Sequence, residues 1–154
     1  MQRFYRYVII LALVCVILIP LIYLSLNNKQ EEYPNPMDLS AEEVVINHFK
    51  YKNEKKLNLL KTTVVDKYKR TDWELNTLDY VEILSINEVV EDIIPSDYHA
   101  EGAYDFKLFE IEYEINFKKE TTQTSGVYVW AYHVIKETED SPWLITDWGP
   151  YGLW

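Results

Sequence analysis

YDFKLFEIEYEINFKKE, residues 104–120, decides the fold. Phe109, Ile111, Tyr113, Ile115 and Phe117 share one parity, and Glu110, Glu112, Glu114 and Asn116 share the other. Alternation of this length marks a strand with one face buried. Two further runs follow after short polar breaks, residues 126–135 and 143–148, so the three predict a meander of antiparallel strands. At the start of the first, Tyr104, Phe106 and Leu108 are apolar on the opposite parity. That switch predicts a β-bulge or sharp bend near Leu108 and Phe109. Upstream, Val81, Ile83, Leu84, Ile86, Val89 and Val90 predict a strand over 78–90, and Pro95, Ser96, Asp97 and Gly102 mark 93–102 as a connection.

Helices precede the sheet. Ser40 and Glu43 fit a capping box, and Leu39 and Val44 fit a hydrophobic staple, so a helix starts at Ala41. Its apolar stripe holds Ala41, Val44, Val45 and Phe49, and His48 lies on the same stripe. The pattern breaks at Asn53. Leu57, Leu59, Leu60 and Val64 then predict a second helix over 54–65 laid against the first. Residues 66–76 read as a loop. Helices over one face of a bent antiparallel sheet make an α+β domain over 39–154.

The N-terminal 28 residues have a different composition. Between Arg6 and Lys29 there is no charge, and 8–26, VIILALVCVILIPLIYLSL, is almost wholly apolar. About 20 such residues span a bilayer's hydrocarbon core as a helix. Arg3 and Arg6 before the run predict a cytoplasmic N-terminus, a single-pass cell-membrane anchor over 1–28 and an extracytoplasmic domain. A cleaved signal peptide is the alternative, although the run is longer than usual and no Ala-x-Ala-like site follows. Cys15 sits within the run behind Val14, where bacterial lipoboxes have Gly or Ala, and reads as an inert cysteine in the span. Residues 29–38, with Pro34 and Pro36, read as a stalk.

The chain carries a formal net charge of −10, with both Arg3 and Arg6 on the far side of the span. Such a surface excludes nucleic acid as a partner. The domain has no cysteine, which excludes a disulfide framework and thiolate metal sites. No metal motif and no cofactor motif is present, and the three histidines are His48, His99 and His133.

The quoted strands, with HFKYKNEKKLNLLKTTVV (48–65), carry a resemblance. The paired-helix opening resembles that of the nuclear-transport-factor-2-like superfold, the cystatin-like α+β cone. More narrowly, EEVVINHFKYKNEKKLNLL (42–60), GVYVWAYHVIKE (126–137) and SPWLITDWG (141–149) resemble a small family of Gram-positive extracytoplasmic domains classed only as a domain of unknown function. The superfold implies a curved sheet under helices, with any pocket between the first helix and the concave face. It implies no single activity, and no residue here matches the catalytic Asp and Tyr set of its ketosteroid isomerases.

Five residues are pocket candidates. His48 is on the buried stripe and could exchange protons near neutral pH. Trp130 and Tyr132 lie with Tyr128 on one face of their strand, an aromatic wall suited to an apolar ligand if that face is concave. His133 has the opposite parity, and Asp147 on the last strand could orient a histidine. Each also has a purely structural reading as a satisfied core or backbone-bonded group. Glu110, Glu112 and Glu114 read as a solvated outer face. The expected function is a membrane-anchored, non-catalytic module that binds a small apolar ligand or an envelope protein. A small-molecule enzyme of isomerase or hydrolase type, using a pocket histidine and a carboxylate, is the alternative.

Overall fold

The computed structural model describes residues 32–89, 102–119 and 123–150, together with Val16. The chain divides into two units, Met1–Tyr33 and Pro34–Trp154. The expected span over 8–26 falls almost wholly outside the described residues, as do 93–101 of the connection and the tail 151–154. Within the first unit, Val16 is helical and exposed. Among the described residues, no helix is long and apolar enough to cross a membrane.

The second unit is α+β, a curved four-stranded sheet with helical segments on one face. Its strands are β1 (Leu78–Glu88), β2 (Asp105–Phe117), β3 (Gly126–Lys136) and β4 (Trp143–Pro150), in the order β1-β2-β3-β4 and antiparallel throughout. Tyr113 faces Tyr128, Ile111 faces Trp130 and Phe109 faces Tyr132, so the odd-numbered face of β2 meets the even-numbered face of β3. This is the face the core covers: Phe109, Ile111, Tyr113, Ile115, Tyr132, Val134 and Ile145 are all buried in one cluster with the helix stripe.

The predicted bulge at Leu108 and Phe109 is absent. Pairing of β2 with β3 runs without a break from Asp105↔Lys136 to Ile115↔Gly126. Leu108 is instead buried on the other face, against Ala131 with Phe106 and Val89 beside it. The parity switch therefore records a strand whose two faces are both covered near its start. The irregularities lie in the outer strands. Register shifts occur between Ile83 and Ser85 on β1 and between His133 and Val134 opposite β4. Each leaves two inward apolar residues an odd number apart, Ile83 with Ile86 and Ile145 with Trp148.

Helix α1, Ala41–Asn53, begins as its sequence requires. The Ser40 hydroxyl accepts from the Glu43 N–H at 3.2 Å, and the Glu43 carboxylate accepts from the Ser40 N–H at 2.8 Å. Ala41, Val44, Val45, His48, Phe49 and Tyr51 are buried. The helix stops because Lys55 takes a left-handed φ of 57°, with the Lys56 N–H bonded to the Tyr51 carbonyl and the Lys55 N–H to the Lys52 carbonyl. That pattern is a Schellman ending on a residue other than glycine.

The second predicted helix is reduced to one α-turn, α2 (Leu57–Leu60), followed by a 3-10 turn over Lys61–Thr63. Two threonines account for the change. The Thr62 and Thr63 hydroxyls donate to the carbonyls of Leu59 and Leu60, both at 2.7 Å, in competition with helix propagation. The chain then extends, and Val64 pairs in parallel with Ile145 as Val65 donates to the Ile145 carbonyl.

Candidate functional site

A cavity of about 220 Å³ lies between the C-terminal half of α1 and the helix-covered sheet face. Its walls come from α1, the loop after α2 and the sheet. The helix gives Phe49 and Lys52, the loop after α2 gives Asp72, Trp73 and Glu74, β2 gives Tyr113, and β3 and β4 give Trp130, Tyr132 and Trp148. The loop is held locally: the Asp72 carboxylate accepts from the Glu74 N–H, Glu74 itself has a left-handed φ of 48°, and its carbonyl accepts from the Thr77 N–H.

The rings lean on one another. Trp73 stacks on Trp148 at 5.5 Å between centroids, and Tyr132 also stacks on Trp148, at 6.4 Å. Phe49 contacts Tyr113 edge-on at 5.2 Å, and Tyr113 contacts Trp130 edge-on at 5.8 Å. Each pair contributes about 0.5–1.5 kcal/mol beyond the area it buries. The rings of the wall therefore brace one another. The Tyr113 hydroxyl accepts from the Gln123 amide at 3.2 Å, and burial raises its pKa.

Lys52 is the cation of this cavity. It is half-buried, with its ammonium 5.3 Å from the Trp73 ring centroid and 5.6 Å from that of Phe49. No carboxylate among the described residues pairs with it. Burial lowers its pKa to about 8, since the charged form loses water that the ring faces replace only in part. The sequence reading passed over Lys52. The signal was its place on the buried stripe, eleven residues after Ala41 and one turn after His48.

His48 lies behind the wall rather than on it. It is fully buried, edge-on to Trp73 at 5.3 Å, and does not line the cavity. The Thr63 hydroxyl donates to Leu60, so it accepts from His48 Nδ1–H at 2.8 Å. This fixes the proton on Nδ1 and leaves Nε2 bare, with no hydrogen-bond partner among the described residues. Burial, and then the charge of Lys52, push its pKa well down, so the ring is neutral.

Trp130 and Tyr132 line the cavity. His133 and Asp147 do not. His133 is buried on the opposite sheet face against Phe106, at 5.8 Å, and stands opposite Asp147 in register. Burial lowers the His133 pKa, and the Asp147 charge offsets part of that shift. The exposed Asp147 carboxylate accepts from the Tyr68 hydroxyl at 3.2 Å and from the Trp148 N–H at 2.9 Å. The two described histidines thus serve different faces, and the sheet separates them. Glu110, Glu112 and Glu114 are half-buried on the outer face, and no group of three or more potential metal ligands forms among the described residues.

Residues 42–149 match a family described as Domain of unknown function (DUF4829), a span that takes in nearly all of α1 and all four strands up to Gly149. No curated protein matches the chain. No solved structure matches it.

Proposed function

We propose that this chain, which belongs to the DUF4829 family, is a membrane-anchored extracytoplasmic module that captures a small, flat, largely apolar ligand without chemical turnover. The observation that carries this reading is the aromatic cavity, about 220 Å³ and walled by Phe49, Trp73, Tyr113, Trp130, Tyr132 and Trp148. That volume lies below the roughly 300–1,000 Å³ of drug-sized sites, which points to an occupant of one or two rings. An acid–base enzyme needs a proton-exchanging group and a partner converging on the substrate. Neither His48 nor His133 lines the cavity, so the histidine–carboxylate pair of the enzymatic alternative does not form there. The helix over a bent antiparallel sheet also supports the resemblance to the nuclear-transport-factor-2-like cone.

The anchor rests on the uncharged run 8–26 with Arg3 and Arg6 before it. Protease added to intact cells is expected to remove a C-terminal epitope, and a protected epitope contradicts the topology. Ligand capture is tested by tryptophan fluorescence as benzamide is titrated into the full chain. Saturable quenching is expected, lost by at least about tenfold in affinity in Trp130→Ala, since truncating a buried anchor commonly costs a binding site 2 kcal/mol or more. Absence of saturation in the wild type overturns the reading.

A further inference from the structure

We propose that the ligand of this cavity is an aromatic or heteroaromatic monocarboxylate whose anionic group pairs with the Lys52 ammonium. This rests on the reading of the cavity as a ligand site and adds the chemical class of the occupant. Three features of the cavity carry it. The first is position: Lys52, in the last turn of α1, lines the cavity beside its rings, and both rings nearest its ammonium, Phe49 and Trp73, are cavity walls. A carboxylate attached directly to an aromatic ring would meet the ammonium while the ring itself lies among Trp130, Tyr132 and Trp148.

The second is charge balance. Lys52 has no carboxylate partner among the described residues, although the chain holds 25 acidic residues against 15 basic ones. A half-buried ammonium in such an acidic protein, held over two rings with no carboxylate within ion-pair distance among the described residues, has room for an anion. The lowering of its pKa to about 8 expresses the same deficit, because a resident counter-ion would hold the charged form in place. An arriving carboxylate supplies that counter-ion through a charge-assisted hydrogen bond.

The third is selection against higher charge. Asp72 and Glu74 also line the cavity, and with two like charges against the one Lys52 cation the net repulsion is about twice as large for a dianion as for a monoanion. A phosphate or dicarboxylate is disfavoured, and a single carboxylate is the best match. The other titratable groups around Lys52 are Asp72, Glu74, Tyr113, Tyr132 and His48; burial raises the pKa of both tyrosines and holds His48 neutral. Lys52 itself titrates at about pH 8.

The test is calorimetric titration of the full chain with benzoate, benzamide and phthalate. Benzoate is expected to bind at least about tenfold more tightly than neutral benzamide and than dianionic phthalate, the scale of one charge-assisted hydrogen bond. Its affinity should fall as pH rises through about 8, while that of benzamide stays level. Lys52→Met should remove the preference for benzoate yet keep benzamide binding, which shows at once that the variant's pocket is intact. Benzamide bound as tightly as benzoate by the wild type, or an undiminished benzoate preference in Lys52→Met, overturns the carboxylate assignment while leaving the cavity as an apolar site. If neither benzoate nor benzamide binds, the ligand-site reading fails and this inference with it.

Discussion

His48 carries its proton on Nδ1, given to Thr63, and presents a bare Nε2 to a shell of rings from Phe49, Trp73, Tyr132 and Trp148. Nothing in that shell welcomes a second proton. In the unfolded chain the same imidazole protonates at about pH 6.5. Below that pH the unfolded state binds a proton that the folded state refuses, so stability falls as pH falls. His133 shifts in the same direction by burial. Unfolding free energy should therefore drop between pH 7.5 and 5.5, with a slope from His48 approaching about 1.4 kcal/mol per pH unit at the acid end and a smaller contribution of the same sign from His133. His48→Gln, which cannot titrate, should flatten that slope in urea melts at several pH values. A wild-type slope near zero contradicts the assignment. The sequence put His48 on the buried stripe from spacing alone. It did not reveal Thr63, fifteen residues later, because that contact depends on how the chain folds back after Lys55.

At the level of elements, Asn53 joins helix to sheet. β1 is an edge strand, and Asn53 closes part of that edge: its carboxamide accepts from the Val81 N–H at 2.7 Å and donates to the Val81 carbonyl at 2.5 Å. One side chain thus stands in for a missing neighbouring strand at Val81. Asn53→Ala should cost about 1–2 kcal/mol in chemical denaturation, since two hydrogen bonds are lost at a site that water reaches in part. Asn53→Asp, which keeps the acceptor only, should fall between. An unchanged midpoint in Asn53→Ala would show that the clasp is incidental. The break at Asn53 was visible in the sequence, but its role in pairing was not. Element types were readable where a single periodicity held, as in α1, β2 and β3. They were misread where local chemistry interrupts a period, as where threonine hydroxyls cut α2 short. The bulges were misplaced for a related reason: Leu108 showed a parity change that a second covered face explains, while the changes at Ile86 and Trp148 marked the true register shifts.

Over the whole domain, the aromatic wall was half legible. Trp130 and Tyr132 share a strand face, so their companionship followed from alternation. Trp73 and Lys52 join them only because the loop after α2 and the last turn of α1 close over the sheet, contacts that no local spacing encodes. The central claim is that these walls enclose a working site. It is tested most directly by following the indole N–H resonances of the full chain during titration with benzamide, a probe that needs no charge on Lys52. Trp73, Trp130 and Trp148 line the cavity, whereas Trp143 packs at the core's margin away from it. The account predicts saturable shifts in the first three at one common affinity, with Trp143 unmoved. No saturable shift, or shifts of equal size at Trp143, would contradict it.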